Sequence, residues 1–398
     1  MMCEQAEGLV NFCRIYKIYE FILPSWLSSF TYFFSAITLA LTVINILIIS
    51  TALYTWFERR TLARFQSRLG PNRWGPFGIL QPIADVIKAI TKEDTVPESA
   101  DKVVFNMAPI LLIITTLLVI IVIPLGPNSF MGSLNIGIIF IIGITSMNTI
   151  SIFMGGWASR NKYAMFGAMR SVAMLITYEI PMGIAIVGIL LLSNSLALSD
   201  IVLSQTIPFF IIQPIGFFVF FAASIAEISR TPFDQIEAES ELGSGFHTEY
   251  SGIKFAIITL AEFMAPIISA IVITTLYLGG FKGPSILPAE FWFSIKVFGV
   301  IFFMLWIRAT WPRLRIDQIM NFAWKPLFGL GLFNLFSIAI EVFVFQDKVT
   351  GFISTSHYWI MAGINWVFAI LLFFGITQII GNKNKEKIKH SYKTNMIS

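Results

Sequence analysis

The sequence predicts an all-α, polytopic bundle of transmembrane helices, with an amphipathic interfacial helix after the first span. Three observations predict it. Of 398 residues, 56% are hydrophobic and 13% charged, whereas a soluble domain is about 45–50% apolar and about 25% charged. The apolar residues gather into long stretches, and the basic residues gather into alternate connections between them.

A helix needs about 20 apolar residues to cross a bilayer core about 30 Å thick. Nine stretches qualify, approximately Thr31 to Trp56, Val103 to Pro124, Leu134 to Gly155, Val172 to Leu192, Pro208 to Ile228, Phe255 to Tyr277, Phe291 to Ile307, Leu327 to Phe345 and Tyr358 to Ile380. The turn Pro124 to Asn128 separates the second from the third. The seventh is short and carries Lys296. With nine spans and the N-terminus outside, 22 of the 27 basic residues fall on one side, as the positive-inside tendency asks. Eight spans would put the lysine-rich tail on the wrong side.

Cys3, Cys13, His247, His357 and His390 are far apart and show no metal-ligand spacing, so the chain is expected to bind no metal or iron–sulfur cluster of its own. Cys3 and Cys13 read as free thiols or as a disulfide. No dinucleotide-binding glycine motif follows a strand. Glu4, Glu7 and Glu20 against Arg14 and Lys17 make neither a secretory signal nor a mitochondrial presequence. That fits a bacterial membrane protein or one made inside an organelle; the 39 phenylalanines tilt the expectation to the mitochondrial inner membrane.

The inner loops carry the unusual chemistry. The first runs Glu58-Arg59-Arg60, Arg64, Arg68, then a Gly- and Pro-rich turn to Pro76. Its arginines read as headgroup anchors or as a specific site. Ile79, Ile83, Val86, Ile87 and Ile90 then recur at helical spacing, with Asp85 beside that apolar stripe. The second loop, Gly156 to Ala164, leads into a span carrying Glu179. A carboxylate at that depth is functional or an interhelical packing pair, and Pro181 suggests a broken, wet helix there.

The third loop contradicts the positive-inside tendency. From Glu227 to Glu249 it holds six acids against Arg230. This is a solvated charged face, or it is a proton store: Asp234, Glu237 and Glu241 lie at i, i+3 and i+7, on one helical face, while Glu239 points elsewhere. Carboxylates that close cannot all ionise in low dielectric. Glu262 continues the line into the next span. The fourth loop holds Arg308, Arg313, Arg315 and Asp317, lipid anchors or counter-charges for the acids. Glu341, near the outer end of the eighth span, has no obvious partner and reads as interfacial.

Together, Glu58 to Glu93, Gly156 to Gly183, Glu227 to Glu262 and Arg308 to Lys325 resemble the family of membrane chain 1 (the bacterial H subunit) of NADH:ubiquinone oxidoreductase, respiratory complex I. The resemblance spans Thr31 to Phe345. It implies a core membrane subunit of a proton-translocating NADH:ubiquinone reductase, with no redox cofactor on this chain. Flavin (FMN) and iron–sulfur clusters would sit on hydrophilic-arm partners that close a ubiquinone chamber with it; adjacent membrane subunits and phospholipids are further partners, and nucleic acid is not expected. It implies that Arg59, Arg68, Asp85, Arg308, Arg313 and Asp317 line or support that chamber. It also implies that Glu179, Glu227, Asp234, Glu237, Glu239 and Glu241 begin a path coupling quinone reduction to proton pumping.

Departures from the family pattern are Glu227-Ile228-Ser229-Arg230, Glu58-Arg59-Arg60, and His247 where Asn is common, adding a group expected to titrate near neutrality. The ninth span exceeds the family's usual eight. The domains follow: an N-terminal segment 1–30, a quinone-chamber domain 31–346, and an added C-terminal helix and lysine-rich tail 347–398. Two other classes fit carboxylates in spans: a stand-alone ion or metabolite transporter, and the membrane subunit of an energy-converting hydrogenase. Long charged inner loops argue for a soluble partner, against the transporter.

Overall fold

A computed structural model describes residues 31–127, 134–235, 245–284, 286–346 and 354–395. Cys3, Cys13 and the rest of residues 1–30 lie outside them, as do Glu237, Glu239 and Glu241.

The described chain is helical. In order come α1 (Thr31–Phe65), α2 (Gln81–Thr91), α3 (Lys102–Ile120), α4 (Gly137–Ala158), α5 (Lys162–Ser193), α6 (Leu198–Ser204), α7 (Phe209–Ile212), α8 (Pro214–Glu227), α9 (Gly252–Tyr277), α10 (Ala289–Thr310), α11 (Ile316–Phe322), α12 (Phe328–Phe345) and α13 (Thr355–Asn395). A π-helical turn, Ala323–Leu327, joins α11 to α12. Among the described residues, eight helices are long and apolar enough to cross a membrane.

The fifth predicted stretch differs from expectation: it is split into α7 and α8 at Gln213, which sits at φ −122° and ψ 69°. Pro208 opens the first piece and Pro214 the second, and a ring nitrogen without a proton starts a helix more readily than it continues one. The break expected at Pro181 is absent, and α5 runs through it. Asn161 caps the start of α5 by accepting from the Tyr163 N–H at 2.9 Å, and Asn194, in the left-handed region at φ 51°, ends it.

The loops sort to two ends. At one end, Lys282 Nζ donates to the Leu203 and Gln205 carbonyls at 2.6 and 3.1 Å, and the Ile138 N–H donates to the Leu196 carbonyl at 3.2 Å. Lys296, the charge that made the seventh stretch insecure, donates to the Leu278, Gly280 and Lys282 carbonyls at 2.7, 3.0 and 2.5 Å. It closes the C-terminal end of α9, where unpaired carbonyls favour a cation. The four charged loops converge at the opposite end. Between them α3, α4, α5, α8, α9 and α12 pack around a main apolar core, with a second, smaller cluster about Phe105, Phe246 and Tyr250, and large hydrophobic side chains cover the outside.

The predicted interfacial helix is α2. None of its residues is buried, and Ile83, Val86, Ile87 and Ile90 are all exposed. Without another protein surface, this apolar stripe fits the membrane interface. The turn before it is fixed by backbone. Gly78 has φ +77°, and a Cβ there would lie 2.3 Å from the Pro71 carbonyl oxygen. The Phe77 carbonyl accepts from Trp56 Nε1 at 3.0 Å and from Arg60 at 3.2 Å, and the Arg60 guanidinium stacks 5.1 Å from the Phe77 ring. Arg60 therefore holds the turn against α1.

Candidate functional site

The acidic third loop is the hub of the charged end. Asp234 is buried and paired with Arg313 of the fourth loop. Beside them Gln235 Nε2 donates to the Leu314 carbonyl at 2.7 Å, and the Leu314 N–H donates to the Pro232 carbonyl at 3.1 Å. Towards the second loop, Asn161 Nδ2 donates to Glu249 Oε1 at 2.5 Å. Gly167 lies where a Cβ would come within 3.0 Å of the Gly245 backbone. Towards the first, Lys254 pairs with Asp94 at 2.8 Å, and Ser251 Oγ accepts from the Thr95 N–H at 2.8 Å. Tyr250 stacks on Phe105 with ring centroids 4.0 Å apart and donates to the Phe105 carbonyl at 3.1 Å.

The first and fourth loops meet directly. Glu58, at the charged end of α1, is 2% exposed and ion-paired with Arg308 of α10. The fourth-loop arginines were expected to be lipid anchors or counter-charges for the acidic loop. Among the described residues, Arg313 pairs with that loop at Asp234, whereas Arg308 pairs with Glu58, a residue whose burial the sequence did not suggest. Arg230 stacks 4.7 Å from the Phe263 ring, which contacts the Tyr54 ring at 6.4 Å, and Arg230 and Arg308 both act electrostatically on Tyr54. Tyr54 and Arg230 belong to this cluster, but neither belonged to the expected site. A hydroxyl one helical turn before Glu58 was the available signal.

Arg59 and Asp85 are brought together at 2.6 Å, tying α2 to the end of α1. Arg68 is exposed, with Nε donating to Gln66 at 2.6 Å, and Asp317 is exposed in the first turn of α11, where a carboxylate suits the helix dipole. Glu179 of α5 accepts a hydrogen bond from Ser146 of α4. Glu227, at the end of α8, feels the charge of Glu179 and borders a cavity of about 80 Å³. Thr115, Thr116, Thr145, Asn148, Ser224 and Ser269 place hydroxyl and amide groups in a lining that is otherwise mostly apolar. It lies among α3, α4, α5, α8 and α9. A larger apolar cleft of about 750 Å³ opens between α8, α10 and α11, walled chiefly by Phe and Trp.

The acid ladder is described only at Asp234, which is spent on Arg313. His247 corrects an expectation: it is 5% exposed, and burial pushes its imidazole down to about 4, so it is neutral near pH 7. Glu341 is a second correction. It is buried rather than interfacial, and Asn365 of α13 donates to it at 2.8 Å.

The fold and charge layout define a multi-pass α-helical membrane protein that gathers most of its described ionisable groups at one end. Residues 37–339 match the family model described as NADH dehydrogenase. The chain is 46% identical over 322 residues to an NADH-quinone oxidoreductase H subunit of Dehalococcoides mccartyi strain CBDB1, covering 81% of this chain and 91% of that one. It is 42% identical over 308 residues to the H subunit of Carboxydothermus hydrogenoformans, with 76% and 88% covered. It is 41% identical over 321 residues to the H subunit of Bacillus thuringiensis, with 79% and 95% covered. The chain belongs to the NADH dehydrogenase family, alongside the H subunit of NADH-quinone oxidoreductase. These relatives are bacterial and lend no support to the mitochondrial expectation.

Proposed function

We propose that the chain is the membrane subunit of a proton-translocating NADH-quinone oxidoreductase of a bacterial cytoplasmic membrane. In this reading it forms one wall of the quinone chamber and the start of the path that couples quinone reduction to pumping. The observation that carries the reading is the convergence of four loops at one end through Glu58–Arg308, Asp234–Arg313, Asn161–Glu249 and Lys254–Asp94. Such a cross-linked charged face suits a soluble electron-delivering partner, which a stand-alone transporter would not need.

Arg59, Arg68, Asp85, Arg313 and Asp317 are then the residues that face quinone or the arm subunits. Arg308, half-buried and paired with the buried Glu58, supports the wall from behind. The exposed stripe of α2 lies along the lipid surface from which a quinone with an apolar tail would arrive. Flavin and iron–sulfur clusters belong to the arm partners, and adjacent membrane subunits receive the coupling signal.

Reduction of a quinone to a quinol takes up protons as well as electrons. Charge appearing beside Arg59, Asp85 and the acidic loop alters the field at Asp234, Glu237, Glu239 and Glu241. In this reading the signal passes from the loop to Glu227 and on to Glu179, whose charge acts on Glu227, so a change at one end biases the protonation of the other. The direct test is Glu227→Gln in the purified native assembly. NADH-driven quinone reduction and proton translocation should fall at least about tenfold, while NADH oxidation by an artificial acceptor stays unchanged. Full quinone activity with full pumping would overturn the coupling role.

A further inference from the structure

The C-terminal helix α13 begins beyond the family match, which ends at residue 339. It packs chiefly over α7 and α8, the two pieces of the broken fifth segment. The break frees backbone groups inside the membrane, where each must find a partner. Gln213 Nε2 donates to the Gly188 carbonyl at 2.9 Å, and Asn334 Nδ2 approaches Gln213 Oε1 at 3.4 Å. Gly216 leaves room for that amide, since a Cβ there would come within 2.8 Å of Asn334 Nδ2. Trp366 Nε1, from α13, donates to the Ile211 carbonyl at 3.0 Å.

The neighbouring residue makes the second tie. Asn365 is 1% exposed and Glu341 6%, and Asn365 Nδ2 donates to Glu341 Oε2 at 2.8 Å. Glu341 Oε1 and Asn365 Oδ1 are both buried without a hydrogen-bond donor. Among the described residues no ion pair reaches Glu341. Both acceptors lack a proton, and both are satisfied if the carboxyl carries one, because a planar acid and a planar amide can exchange two hydrogen bonds. An ionised carboxylate could donate nothing to Asn365 Oδ1, and the medium penalises both an unmet acceptor and an unpaired charge.

We propose that Glu341 is a neutral carboxylic acid in a reciprocal hydrogen-bonded pair with Asn365, and that this pair and the Trp366–Ile211 bond latch the C-terminal helix onto the broken fifth segment. The latch holds the segment whose other end carries Glu227, and it needs no proton movement at Glu341.

The test uses the native assembly carrying Glu341→Gln, Asn365→Leu and the double Glu341→Leu/Asn365→Leu. The infrared difference between wild type and Glu341→Gln should lose the carbonyl band of a protonated carboxylic acid. Pumping should be unchanged, because an amide pair keeps both hydrogen bonds. Asn365→Leu should shift that band towards a free acid and lower the temperature at which the chain leaves the assembly. The double variant, which removes both polar partners, should regain most of that loss. Loss of a carboxylate band instead, or failure of pumping in Glu341→Gln, would overturn the proposal. So would a double variant less stable than Asn365→Leu alone.

Discussion

Replacing Arg308 by methionine strips the counter-charge from Glu58, whose side chain is 3% exposed against 22% for Arg308. Breaking a buried ion pair from one side costs about 3–5 kcal/mol, because the remaining charge stays in low dielectric without its partner. Replacing both members by apolar residues of similar volume is neutral or stabilising, by about 1–4 kcal/mol where it stabilises. At about 1.4 kcal/mol per decade, Arg308→Met should raise the locally opened population by about two to three and a half orders of magnitude. Glu58→Met/Arg308→Met should return close to wild type. The assay is a double-mutant cycle on the native assembly, reading the thermal midpoint for retention of this chain. A single variant within about 0.5 kcal/mol of wild type would refute the reasoning. So would a double variant that costs the sum of the two single ones.

Three further outcomes follow from the same geometry. His247 is pushed down to about 4 from an ordinary value near 6.5, so the unfolded chain binds the proton first. Its share of stability, up to about 3 kcal/mol, is fully present above pH 6.5 and is lost as pH falls towards 4; His247→Asn should flatten that slope in a midpoint-against-pH series. Gly78→Ala should cost about 1–3 kcal/mol at a φ of +77° that brings the new Cβ against Pro71, read as faster proteolysis between Gly70 and Gln81. Tyr250→Phe keeps the ring on Phe105 but loses the hydroxyl's bond to its carbonyl, a fall of about 1 kcal/mol in thermal stability.

How much of this was legible in the sequence depends on the kind of signal. Span length and charge asymmetry are one-dimensional quantities, so α1, α3 and α9 are visible as apolar runs and α2 as a periodic stripe. The break at Gln213 was hidden because Pro208 and Pro214 sit inside a run with no charge to interrupt it. Pro181 misled in the opposite direction, since α5 absorbs one proline without parting.

The candidate site was legible as residue types but not as pairings. Which arginine meets which carboxylate is a matter of helix rotation and loop path, so Arg308 with Glu58 and Arg313 with Asp234 required three dimensions. Glu341 was misplaced because its partner, Asn365, is uncharged and 24 residues away on another helix. Lys296 looked like a flaw in a span; it is a cap on three carbonyls.

The most direct measurement of the central claim is photo-crosslinking of the native assembly with a quinone bearing a photoreactive group on its ring, followed by peptide mapping. A quinone chamber walled by this chain predicts labelling, competed by unmodified quinone, between Glu58 and Asp85, around Asp234, or between Arg313 and Asp317. Competed labelling confined to other subunits, with none on these segments, would contradict it.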